Sequence, residues 1–281
     1  MFTDMAFFDL RGLHDLKIAA SDTFLQHRRP RPSADDSSPS DLYLAPHFDD
    51  ICFSLGAFVR RKRRGILLTL FSNSAYVARP DDLDVEAGDR TKAISALRRA
   101  EDLAFAREVG LRQVMAGLDE APLRGRAPFD TDKAGEDATL LDRPILDTIL
   151  AMAREQASGR RPWLYCPMGI GGHVDHVTVL KIVLGHYDAL RTSYRIAFYE
   201  DLHYASVWKV RAAGLERFRG LSVPLRLRRS RHAITMSHDK IALARLYPSQ
   251  FVEPPASITP FTPMQFLRAT PHEAIWTAEG S

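Results

Sequence analysis

The chain has 281 residues, 45% of them hydrophobic, enough to bury a large core as one extended domain or a domain with an appendage. Its 38 basic and 35 acidic residues nearly cancel, which argues against a nucleic-acid partner, and the arginine-rich runs Arg60 to Arg64 and Arg226 to Arg231 read as solvated faces, with an anionic substrate or partner as the alternative. No stretch approaches the roughly 18 uninterrupted apolar residues of a membrane span, the N-terminus lacks the pattern of a secretion signal, and Cys52 and Cys166, the only cysteines, sit in apolar runs. A reduced, cytoplasmic protein is expected.

Residues 1–28 suit an amphipathic helix around Leu10 to Leu25, followed by the connector RRPRPSADDSSPS, so 1–40 is read as an extension and linker. The folded core starts near Asp41. Leu42 to Ala45 reads as a strand, the stretch to about Arg64 as a helix, and Ile66 to Phe71 as a second strand. A helix over Asp89 to Val109 stops at Gly110, and another runs from about Leu140 to Ala157. The strand Trp163 to Cys166 follows, then a helix that begins after His173 and runs towards Leu190, and the strand Arg195 to Tyr199. Such alternation predicts an α/β fold, a Rossmann-like, mostly parallel sheet with helices on both faces. After Glu200 the order breaks down into short basic and apolar pieces, a helix-like Ser237 to Leu246 and the proline-rich VEPPASITPFTP. This region is expected to cap the sheet, with residues 41–250 as the main domain and 251–281 as a tail packed on it.

Ligands of open parallel sheets bind beyond the carboxyl ends of the strands. Directly after the first strand stands Pro46-His47-Phe48-Asp49-Asp50, and directly after the strand ending at Cys166 stands Gly169-Ile170-Gly171-Gly172-His173-Val174-Asp175-His176. Both clusters fall at one sheet edge and together offer three imidazoles and three carboxylates. Two imidazoles and one carboxylate with an open fourth position make a common catalytic zinc site. His47 and Asp50, three apart at a strand-to-helix turn, can converge on one ion, leaving Asp49 to take a proton from water. His173 and His176 share a helical face, while Asp175 points aside and can orient a neighbouring imidazole. Helix capping by the aspartates and structural roles for single histidines are the competing readings. Two such clusters after two separate strands favour a site.

The pair PHFDD and GIGGHVDH resembles the two signatures of the PIG-L or LmbE-like N-deacetylases, H-P-D-D and H-x-D-H, with weaker likeness at Arg98 to Asp102, Phe198 to Leu202 and Tyr247 to Gln250. The resemblance implies zinc held by His47, Asp50 and His176, with Asp49 as general base. It gives His173 the role of oxyanion stabiliser or nitrogen acid, tuned by Asp175. Phe48 stands where many members have proline and Ile51 where many have glutamate, which tilts the reading towards members acting on antibiotic pseudo-aglycones and aminoglycosides. Gly171 stands where some members carry a mobile tyrosine, a role open to Tyr204. Arg98, Glu200, Asp201 and Tyr204 are the candidate substrate contacts, with Trp208 in the cap. The expected function is hydrolysis of the N-acyl, most simply N-acetyl, amide of an amino sugar or glycosylated small molecule. The alternatives are a metallo-amidase or esterase acting on a non-sugar conjugate and a silent sugar-binding protein. Oligomeric state is left open.

Overall fold

The computed structural model describes residues 40–78, 89–155, 159–222, 225–234, 237–251 and 271–278. The expected helix around Leu10 to Leu25, most of the connector after it and the proline-rich VEPPASITPFTP lie outside the described residues. The described residues belong to one compact unit, Ser37–Ser281.

Five short parallel strands form the body of the sheet: β1 (Leu42–Ala45), β2 (Ile66–Thr69), β3 (Arg112–Met115), β4 (Trp163–Pro167) and β5 (Arg195–Tyr199). They are joined by α1 (Asp50–Lys62), α2 (Arg90–Val109), α3 (Ala134–Arg154), α4 (Val174–Gly185) and α5 (Tyr187–Leu190). β1, β2, β4 and β5 read as apolar runs because both of their faces are covered. Leu42, Leu44, Leu68, Leu164, Cys166 and Phe198 pack with α3 and α4 on one side. Tyr43, Ala45, Leu67, Tyr165 and Tyr199 pack with α1 and α2 on the other. Both cysteines are buried and free, as their apolar settings predict.

Gly110 takes φ 74° at the end of α2, and a Cβ there would sit 2.9 Å from the Arg63 carbonyl oxygen. Glycine therefore both stops the helix and lets two loops meet.

Several elements differ from the sequence expectation. The polar strand β3 was not anticipated, since a half-exposed edge strand needs no apolar run. α3 begins at Ala134, after a 3₁₀ turn at Thr131–Lys133, six residues before the apolar periodicity becomes regular. Beyond Glu200 come α6 (Leu202–Ala205), α7 (Trp208–Leu221), β6 (Leu227–Ala233), α8 (Ser237–Ala244) and β7 (His272–Ala278). The sheet order is β3-β2-β1-β4-β5-β7-β6, with β7 antiparallel to both neighbours. Part of the region expected to cap the sheet thus continues it, and the tail after residue 250 contributes the strand that joins β6 to β5. The buried Glu273 of that strand accepts the Ala57 and Phe58 N–H groups of α1 and pairs with the buried Lys240 of α8.

Chain order makes β1 run to β2 and β3 on one side before crossing to β4 on the other. The gap between the ends of β1 and β4 is therefore the topological switch point, where open α/β sheets form their crevice. The first His/Asp cluster follows β1 and the second follows β4.

Candidate metal centre and active site

His47 and Asp50 are positioned by the tight turn from β1 into α1. Asp50 Oδ2 accepts the His47 N–H at 2.6 Å, which folds the carboxylate back over the turn. Asp49 is the N-cap residue but makes no side-chain cap; its Oδ1 accepts from Arg98 at 3.0 Å instead. At the second cluster His173 caps α4, its Nδ1 accepting the Asp175 N–H at 3.2 Å, and His176 lies one turn further on.

The two clusters meet. His47 Nδ1 and His176 Nε2 are 3.2 Å apart, and Asp50 Oδ2 lies 3.4 Å from the first and 3.3 Å from the second. The other ring nitrogens are occupied: His47 Nε2 is 2.9 Å from Asp175 Oδ2 and His176 Nδ1 is 2.6 Å from Asp201 Oδ1. With those nitrogens donating to carboxylates, the inward nitrogens present lone pairs, and two lone pairs face a carboxylate oxygen. Such a triangle is repulsive unless positive charge sits among its corners. Tetrahedral coordination with bonds of about 2.0–2.1 Å puts ligand atoms about 3.3 Å apart, so the donor set fits a divalent ion. His173 adds a third imidazole, with one ligand atom of each histidine within 4.8 Å of the others.

The electrostatics carry the same demand for a cation. Burial pulls against protonating His47, yet hydrogen bonds to Asp175 and Asp50 outweigh it and lift its pKa to about 9. His176 is raised in the same way, against burial, by Asp50 and Asp201. Asp50 is held well below the usual carboxylate range by His176 and His47, although burial opposes this. His173 goes the other way: burial and the neighbouring His47 and His176 push it down to about 2. It is therefore neutral, and since Nδ1 accepts a backbone N–H, its proton sits on Nε2.

No family model matches the chain. Over 171 residues it is 34% identical to a 2'-N-acetylparomamine deacetylase of Streptomyces fradiae, a match covering 58% of this chain and 57% of that enzyme. The chain thus matches little more than half the length of this relative. Among solved structures, the zinc-inhibited form of a teicoplanin deacetylase superposes with a TM-score of 0.57 at 16% identity, over 85% of this chain and 99% of that one. A pseudoaglycone deacetylase for an antimicrobial reagent gives 0.55 at 18% identity, over 85% and 96%. The fold is that of these deacetylases.

The structure redistributes the remaining candidates. Asp175 was expected to tune His173, but its side chain engages His47, and its nearest approach to His173 Nδ1 is 3.9 Å. The reason is helical: Asp175 and His173 are two apart, so their side chains leave α4 in different directions. Asp201 was expected to meet substrate; it is buried behind His176, and its second oxygen accepts the Ile170 N–H at 2.8 Å. Glu200 does not reach the site, because successive residues of a strand point to opposite faces. Its fully buried carboxylate takes both ends of Arg211, plus Arg229 and the Trp276 indole, tying α7 and the added strands to β5. Arg98 is also buried: it bridges Asp49, Ser74 and Glu120, and so acts on the site through Asp49.

Tyr204 does stand at the site, edge-on to His176 with ring centroids 6.3 Å apart. Gly171, at φ 100°, lies directly beneath it: a Cβ there would meet Tyr204 Cγ at 2.4 Å. The Tyr204 ring occupies the space a side chain at 171 would take. Three contributors went unread in the sequence: Glu120, Arg124 and Phe129. They sit in the long β3–α3 connection, where no periodicity or motif marks them. Phe129 is 56% exposed, with its ring 5.8 Å from His173 and 6.2 Å from Tyr204.

Proposed function

We propose that the chain is a zinc-dependent N-deacetylase of the PIG-L or LmbE-like type, acting on an amino sugar carried by a larger small molecule. The observation that carries this reading is the triangle of His47 Nδ1, Asp50 Oδ2 and His176 Nε2, with sides of 3.2–3.4 Å. The identity to an acetylparomamine deacetylase and the fold shared with deacetylases of glycosylated antibiotics support the same reaction class.

Zinc, when bound, supplies a Lewis acid for the amide carbonyl and acidifies a water towards a pKa of about 7. His47, Asp50 and His176 would hold it, through the three atoms that form the triangle. Asp175 and Asp201 fix the two imidazoles so that their lone pairs point inward. Asp49, anchored by Arg98, accepts the proton of the attacking water. The water oxygen bonds to the carbonyl carbon, and the neutral His173 donates its Nε2–H to the oxygen that gains charge. Asp49 then returns its proton to the departing nitrogen as the C–N bond breaks. One amine and one carboxylate leave per water consumed.

Tyr204 and the exposed Phe129 form an aromatic rim beside His173, which suits the apolar face of a sugar ring. The test is amine release from free N-acetylglucosamine, its glycosides and an N-acetylated aminoglycoside, with zinc content measured in parallel. About one zinc per chain and faster turnover of the larger conjugates are expected. A protein that binds no divalent metal, or that releases no amine from any member of the panel, overturns the proposal.

A further inference from the structure

Both halves of the site rest on the connection between β3 and α3. Glu120 faces one half: its carboxylate accepts from Ser74 Oγ at 2.8 Å, from the Ala75 N–H at 2.5 Å and from Arg98 at 3.3 Å, and Arg98 holds Asp49. The next residue faces the other half, with the Ala121 N–H donating to Asp175 Oδ2 at 3.0 Å. The short 3₁₀ turn Ala121–Arg124 then brings Arg124 round to the same carboxylate. One amino group of Arg124 donates to Asp175 Oδ1 at 2.6 Å and to Asp137 Oδ2 at 2.8 Å, and the other donates to the Asp119 carbonyl. The guanidinium also lies 4.9 Å over the Phe71 ring. Asp175 is thus gripped at both oxygens by this turn while it receives the His47 Nε2–H.

We propose that Arg124 is a positioning residue for the metal site, fixing Asp175 and, through it, the His47 ring with Nδ1 turned towards Asp50 and His176. The proposal rests on the metal reading given above. Outer partners of a metal-bound imidazole set its orientation and tautomer, and losing one costs about 10- to 100-fold in metal affinity. The planar guanidinium matters as well as its charge, because it spans two carboxylates and a carbonyl at once.

Arg126 provides the control. It donates to Asp137 and Glu136 rather than to Asp175, so it shares the local ion pairs without gripping the carboxylate that meets His47. Zinc affinity of the purified full chain is measured by competition with a chromogenic chelator, with folding followed by circular dichroism. Arg124→Met is expected to weaken zinc binding about 10- to 100-fold, and Arg126→Met to leave it within about twofold. Should Arg124→Met fail to fold, Arg124→Lys carries the test, with a several-fold loss expected because a point charge cannot bridge all three partners. Wild-type affinity in the folded Arg124 variant overturns the inference, as does an equal loss in Arg126→Met, which would make the effect one of general loop stability. A wild-type chain that takes up no zinc overturns the metal reading itself, whereas zinc uptake unaffected by Arg124 overturns only this inference.

Discussion

Gly171→Ala probes the packing beneath Tyr204. The added Cβ would lie 2.4 Å from Tyr204 Cγ and 2.7 Å from both Cδ atoms, closer than real Cβ contacts come, and the backbone there has φ 100°. An L-residue in a left-handed conformation costs about 1–2 kcal/mol. Overpacking against a ring that must move adds about 1–3 kcal/mol. The reduced entropy of the unfolded chain returns about 0.4–1 kcal/mol. The net loss is about 2–4 kcal/mol, mid-range of those terms. Urea unfolding of the wild type, Gly171→Ala, Tyr204→Ala and the double variant separates the contributions. With the ring removed only the backbone cost remains, so the double variant should be more stable than the single losses add up to, by about 1–3 kcal/mol. Additivity within about 0.5 kcal/mol would show that the ring does not rest on Gly171. Because Tyr204 stands edge-on to His176, the same substitution should also lower turnover.

The adjacent aspartates should separate: Asp49→Asn keeps zinc and loses about 100-fold or more in kcat, while Asp50→Ala loses zinc, as metal analysis alongside kinetics would report. Exchanged phenotypes would reverse the two assignments. Phe129→Ala should raise KM about fivefold for a glycosylated substrate, equivalent to about 1 kcal/mol of ring contact, with little change in kcat; an unchanged KM would remove Phe129 from the binding surface. Asp102 gives a pH signature. Burial lifts its carboxyl to about 7 against hydrogen bonds from Gln113, Tyr247 and Thr69. The folded chain keeps that proton to higher pH than the unfolded chain, so its contribution is complete below about pH 4 and declines, by up to about 1.4 kcal/mol per pH unit, as pH rises to about 7. Asp102→Asn lacks this slope, and a wild-type-minus-variant stability difference that stays constant from pH 4 to 7 would contradict it.

The strands that run apolar, the glycine stop of α2 and the two clusters at strand ends were legible from the residues alone, because these follow from local rules: periodicity, backbone freedom and residue type. Placing both clusters after strands was enough to put them at one edge of the sheet. Adjacency was not legible. That β1 lies beside β4 depends on the crossover from β3, which no local pattern encodes, and this adjacency brings His47 Nδ1 to 3.2 Å from His176 Nε2. Tertiary structure also decided which carboxylate serves which imidazole. Asp175 and His173 are near neighbours in sequence, yet Asp175 serves His47, 128 positions away, because α4 turns the two side chains apart while β1 brings His47 across. Glu200 and Asp201 looked equivalent in the sequence, but consecutive residues leaving a strand point to opposite sides. One ties down an arginine of α7 and the other orients His176. Arg124 and Phe129 carried no local signal at all: their surroundings are made by residues that only the folded sheet brings together.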